Sequence, residues 1–150
     1  MTARTQLTPV QLVRDSMSVT EAAATAAAAT MYIQGGNTSS PNSSIDLRKL
    51  LLRFIIGTTA TVVTLRAAGN GVDVNGNSRT SPYPTNAVFT QGSAGDLVSA
   101  STTSNTLDVG PLTSDRFIQT DSAGNSYLFI DFSQVTGVTV LAYELPFVLA

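Results

Sequence analysis

One segment of the chain has the ligand spacing of a calcium-binding loop. Asp73, Asn75 and Asn77 match the first, third and fifth ligand positions of an EF-hand. Ser78 stands where that loop requires glycine, and Pro84 stands where a bidentate glutamate would complete the site. Because the decisive carboxylate is replaced by proline, the segment predicts a turn without a metal ion.

Two other patterns bear on catalysis. Asp131 and Glu144 could form the carboxylate pair of a glycosidase if their strands were neighbours. The chain has no Trp to stack against a sugar, so we interpret both as solvated strand charges. A Ser–Lys dyad would have to use Lys49, which has no suitably spaced Ser partner. We therefore predict no catalytic residue, no cofactor and no metal site.

The composition removes several classes of function. The chain has no His and no Cys, and so lacks the commonest general base, the thiol nucleophile and the usual zinc ligands. Its formal net charge is −2 and its basic residues form no cluster, so we expect no nucleic-acid binding. Arg53 and Arg66 interrupt the most apolar stretch, residues 50–68, and no signal peptide is visible. We expect a soluble protein without a membrane segment.

Residues 47–67 fit two secondary structures. Apolar residues from Leu47 to Ile55 would share one face of a helix, whereas alternating ones from Leu50 to Ile56 would share the inner face of a strand. The short Gly57 turn and the β-branched segment 61–67 favour strands. We predict a β-hairpin across 47–67. Arg53 and Arg66 would then lie on a solvated outer face or at a subunit contact.

The remaining patterns are also typical of strands. Residues 18–30 combine a capping box and alanines with scattered Thr, and we favour extended structure there over a helix. Short strands are predicted at 31–33, 116–119, 127–132 and 138–145. The predicted core includes residues from several of these strands: Leu52, Leu128, Ile130, Phe132 and Val140.

These elements predict one all-β domain over residues 1–150. The expected fold is a small antiparallel β-sandwich or barrel of jelly-roll type, since short strands alternate with turn residues. Residues 1–17 are expected to form an extended N-terminal arm. Residues 70–106 are rich in Gly, Asn, Ser and Pro, and are expected to form a long inserted loop on the outer surface.

Several segments in order resemble small virion proteins of tailed bacteriophages, encoded near the major capsid gene. The resemblance covers most of the chain except the 70–106 insertion, and is strongest over residues 109–145. The segments that carry it are Leu12-Val13-Arg14-Asp15, residues 22–30, Met31-Tyr32-Ile33, residues 47–67, residues 109–119 and residues 127–140.

This resemblance implies a capsid decoration, or cement, protein without catalytic activity. Such proteins bind the major capsid protein on the capsid exterior, often as homotrimers, after synthesis in the bacterial host cytoplasm. We expect contacts through apolar and basic residues near the termini, namely Leu7, Val10, Leu12, Arg14, Pro146, Phe147 and Leu149.

Two other functions stay open. A tail or head–tail connector subunit of the same virion would form rings instead of trimers. A carbohydrate-binding or hydrolytic sandwich would need exposed aromatics or paired acids in a groove, and the four tyrosines are too scattered to supply such a platform.

Overall fold

A computed structural model describes residues 3–12, 25–36, 45–67, 71–79, 95–112, 115–120 and 125–146. Apolar residues alternate along most of these segments, which is why they form strands that bury one face. The strands assemble into two packed sheets and a separate small hairpin. No helix in the described segments is long and apolar enough to cross a membrane.

The first sheet, sheet A, has six strands. They are β1 (Thr5–Gln6), β4 (Thr30–Gln34), β6 (Val63–Leu65), β9 (Leu97–Val98), β11 (Ile118–Thr120) and β12 (Ser126–Phe132). The order across the sheet is β1, β4, β12, β6 and β9, and β11 pairs with the first half of β12. β1 runs parallel to β4, and all other pairs in this sheet are antiparallel.

The second sheet, sheet B, has five strands. They are β2 (Val10–Gln11), β3 (Thr25–Ala26), β5 (Leu50–Ile56), β10 (Asn105–Val109) and β13 (Thr139–Glu144). β5 lies between β10 and β13, and the outer edge of β13 pairs with β2 in parallel and with β3 in antiparallel orientation. The small hairpin joins β7 (Gly71–Val72) to β8 (Ser78–Arg79).

The hydrophobic core fills the space between the two sheets. Leu52 and Phe54 of sheet B face Ile130 and Phe132 of sheet A, and all four are buried. The Phe54 and Phe132 rings meet edge to face with centroids 5.8 Å apart, a favoured aromatic geometry. The predicted all-β sandwich is confirmed, and the predicted core residues, including Leu128 and Val140, are buried.

The predicted hairpin across 47–67 is wrong. β5 belongs to sheet B and β6 to sheet A, so the connection between them crosses from one sheet to the other. Gly57 permits a close crossing, since a Cβ at that position would lie 2.9 Å from the carbonyl oxygen of Gly137. Thr61 is fully buried in the connection and forms a bridge with Thr102. Apolar and polar residues alternate in the same way whether two strands form a hairpin or an arch between sheets. The sequence pattern therefore does not distinguish the two connections.

The extended N-terminal arm is not confirmed. Residues 3–12, which we call the strap, carry β1 at the edge of sheet A and β2 at the edge of sheet B. Leu7 lies between these strands with 4% of its surface exposed, and packs into the core. The strap therefore ties the two sheets together, and residues 13–17 of the predicted arm lie outside the described segments.

The long loop predicted over 70–106 is only partly a loop. Residues 71–79 form the β7–β8 hairpin, while Leu97 in β9 packs against the core. Asp96 is 1% exposed, so this end of the segment is packed against the fold and is not a surface loop. β10 begins at Asn105 and pairs with β5 along its length. Residues 80–94 lie outside the described segments.

Candidate interaction surface

The outer face of sheet A is covered. Along β12, Tyr127, Phe129 and Asp131 point away from the core, yet Phe129 is fully buried and Tyr127 is 8% exposed. The Arg4 guanidinium lies over the Phe129 ring, 4.3 Å from its centroid. The strap carrying Arg4 is held in place by a hydrogen bond from the Arg4 backbone N–H to the Val74 carbonyl, 3.3 Å. This face is therefore a second packed layer.

Buried charges join the parts of that layer. One carboxylate oxygen of Asp131 accepts a hydrogen bond from Arg4, and the other accepts from Arg66 Nε at 2.5 Å. Arg66 Nη1 also donates to Asp96 Oδ2 at 2.7 Å. Asp96 Oδ1 accepts from the backbone N–H of Ala67 at 2.7 Å. Two arginines and two aspartates from distant parts of the chain thus form one connected network.

The network raises the pKa of Arg66. Burial lowers the pKa of the Arg66 guanidinium, but its hydrogen bonds to Asp131 and Asp96 outweigh burial and raise the pKa above its ordinary value. Gln119, also buried, donates from its side-chain amide to the backbone carbonyls of Arg66 and Ala67. These polar groups fix the end of β6 against β11, which is a structural role.

The outer face of sheet B is partly exposed and carries both apolar and charged side chains. Leu51, Arg53 and Ile55 point outward from β5, opposite Tyr143 and Leu141 of β13. Ile55 is 42% exposed, Leu51 and Tyr143 are half-buried, and Leu141 is buried with 4% of its surface exposed. Val10 of β2 pairs with Tyr143, which extends the face across the strap. We call these residues with Asp108 the B face.

An ion pair joins two strands on the B face. Arg53 donates from Nε and Nη2 to the two carboxylate oxygens of Asp108, at 2.8 and 2.9 Å. The two residues are register partners on β5 and β10, and about half of each side chain is exposed. The hydrogen bonds from Arg53 lower the pKa of the Asp108 carboxyl below its ordinary value. The two charges neutralise each other, and Leu51 and Ile55 flank Arg53 along β5.

An apolar cleft opens where the two sheets separate. It has a volume of about 390 Å³ and lies between β9 and β10. Within the described segments each of these strands pairs on one side only. Asn105 Oδ1 accepts a hydrogen bond from the Thr106 N–H at 2.8 Å, so a donor of the β10 edge is satisfied locally. Val98 on the rim of the cleft is 39% exposed.

The residues predicted to contact the capsid or a second subunit differ in burial and position. Leu7 is buried, so its apolar surface is used within the chain. Val10 and Leu12 are half-buried at the edge of sheet B, and Pro146 is exposed just beyond β13. Val10 lies on the B face beside Tyr143. Arg14, Phe147 and Leu149 lie outside the described segments.

The groups considered for chemistry have structural partners. Asp131 and Glu144 belong to different sheets and do not form a pair. The interpretation of both as solvated charges is wrong. Asp131 lies in the arginine network, and Glu144 is 6% exposed, accepting from Gln11 Nε2 at 2.9 Å and the Asp46 N–H at 2.7 Å. Lys49 pairs with Asp46 at 3.8 Å.

The segment with calcium-loop spacing forms the predicted turn. Asp73 Oδ1 accepts from the backbone N–H groups of Asn75 and Asn77, both at 2.9 Å. The carboxylate therefore closes the β7–β8 hairpin. Among the described residues, no three acidic, His or Cys side chains are grouped to hold a metal ion.

Sequence reasoning missed two sets of functional side chains. Asp108 was not singled out, although its alternation with the apolar Leu107 and Val109 places it on an outer face. Arg4 and Asp96 were also missed. Their burial depends on contacts across the fold, such as that between Arg4 and Asp131, and no local pattern reports it.

Comparison with known proteins gave no relative. No protein-family profile, curated protein or solved structure matches this chain.

Proposed function

We propose that this protein is a non-enzymatic virion subunit that binds the exterior of a tailed-phage capsid. The observation that carries the proposal is the B face, where Ile55, Leu51 and Tyr143 lie beside the exposed Arg53–Asp108 ion pair. Contiguous apolar surface of this kind marks protein interaction sites. The resemblance of residues 109–145 to phage virion proteins supplies the partner, a major capsid protein.

The neutral charge of the B face favours attachment through apolar contacts. Arg53 and Asp108 neutralise each other, so the face has no excess charge to attract an oppositely charged surface. Salt screens exposed charges but leaves apolar contacts in place. Binding to capsids should therefore weaken only modestly between low and high salt. A homotrimer on the lattice would present three such faces and gain affinity by effective concentration.

The experiment is to mix the purified protein with undecorated capsids, and separately with isolated tails and connectors, and to sediment each mixture. We expect saturable co-sedimentation with capsids, without any added cofactor. Binding to tails or connectors alone would assign the chain to those parts of the virion. Failure to bind any of the three would reject the virion proposal.

The structure rules out a simple truncation as the test of attachment. Removing residues 1–15 would delete the strap, including buried Arg4 and Leu7 and both edge strands β1 and β2. Such a variant would be destabilised, so a loss of binding would not show that the N-terminus contacts the capsid. Point substitutions on the B face leave the core and the strap intact, and are the better probe.

A further inference from the structure

The strap packs against groups of both sheets, and we call these groups its receptor. In sheet A, the Leu7 N–H donates to the Tyr32 carbonyl at 2.8 Å, and the fully buried Arg4 side chain reaches Asp131. In sheet B, the Leu12 N–H donates to the Glu144 carbonyl at 2.9 Å. The backbone contacts lie along the edges of β4 and β13, while the Arg4 side chain reaches across β4 to β12. None of the strand pairs β4–β12, β12–β6, β5–β13 and β10–β5 includes a strap residue, so these pairs are the same whichever copy supplies the strap.

The connection after the strap, residues 13–24, is longer than the separation of its two ends requires. Leu12 is bonded to Glu144 of β13, and Thr25 is the register partner of Val140 on the same strand. Four residues of a strand span about 13 Å. The chain from Leu12 to Thr25 can reach about 43 Å when fully extended. The connection therefore leaves slack that a crossing to a neighbouring copy would use.

We propose that neighbouring copies of this protein exchange straps when they assemble. The contacts of Arg4, Leu7 and Leu12 are the same whichever copy supplies the strap, so exchange conserves their energy. The balance is then set by the connection and by the local concentration of copies. A capsid lattice holds copies close together, which favours exchange. The partner of the strap is thus a second copy of this chain, a property that goes beyond capsid attachment.

Engineered cysteines test the proposal, because the chain has none of its own. Gln6 and Tyr32 are register partners on β1 and β4, at a separation that suits a disulfide. The variants Gln6→Cys and Tyr32→Cys are made separately, with tags of different size, refolded together and concentrated. Oxidation should give a disulfide between the two different chains, with a yield that rises with protein concentration and is highest on capsids.

Three controls make the result decisive. The double variant in one dilute chain shows that the pair can close, and Gln6→Cys mixed with Ser99→Cys measures random cross-linking. Val10→Cys with Tyr143→Cys probes the other end of the strap and replaces the first pair if that pair does not close; because both residues lie on the B face, this pair is read in concentrated solution and not on capsids. If a pair closes within one chain but never links the mixed chains, even on capsids, the strap binds only its own chain and the proposal is wrong. Sedimentation of the unaltered protein reports capsid binding independently.

Discussion

The outer faces of the two sheets are built from the same kind of strand but have different surroundings. On sheet A, the outward residues Phe129 and Asp131 are covered by Arg4 and joined to Arg66. On sheet B, the outward residues Ile55 and Arg53 face solvent, and Arg53 has only an exposed partner. In both sheets an outward position carries a charge. The contribution of that charge to stability depends on whether other side chains bury it.

The first prediction compares the charges of the two faces. Asp131→Ala leaves Arg4 buried without its carboxylate, and should reduce the free energy of unfolding by about 3–5 kcal/mol. Asp108→Ala removes an exposed ion pair and should leave the free energy of unfolding nearly unchanged. Urea denaturation of both variants measures the difference. Equal effects would mean that the Arg4 network does not hold the strap.

The second prediction compares two apolar residues that point outward, one from each sheet. Phe129→Ala should reduce the free energy of unfolding by about 3–5 kcal/mol, because it opens a cavity under Arg4 and beside Tyr127. Ile55→Ala should change it by less than about 1 kcal/mol, since the side chain is already 42% exposed. If Ile55→Ala proved as damaging as Phe129→Ala in thermal unfolding, the B face would be covered within the monomer.

The smallest expected effect concerns pH on the B face. Arg53 lowers the folded-state pKa of Asp108, so the pair stabilises the fold above the unfolded-state pKa and loses this effect as pH falls through the folded-state value. An NMR titration should place the Asp108 pKa below 3.8 and show it rising in Arg53→Gln. An unchanged Asp108 pKa in Arg53→Gln would show that the pair does not form in solution.

Local alternation predicted much of the sandwich. The apolar residues Leu50 to Ile56 alternate, and the structure buries every second one. The same alternation fits a hairpin or an arch between sheets, so the sheet that receives β6 could not be read from it. Asp131 shows the same limit. Its outward position is visible in the sequence, but its burial depends on Arg4, which is 127 residues away in the chain.

The most direct test uses the two exposed large apolar residues of the described segments. Ile55 lies on the B face, and Val98 lies on the rim of the β9–β10 cleft. Both Ile55→Asp and Val98→Asp should fold, which urea denaturation checks. We predict that Ile55→Asp binds undecorated capsids at least about tenfold more weakly than the unaltered protein, a loss of about 1.4 kcal/mol. Val98→Asp should bind normally. Normal binding by Ile55→Asp, or a loss confined to Val98→Asp, would contradict the assignment of the B face to the capsid.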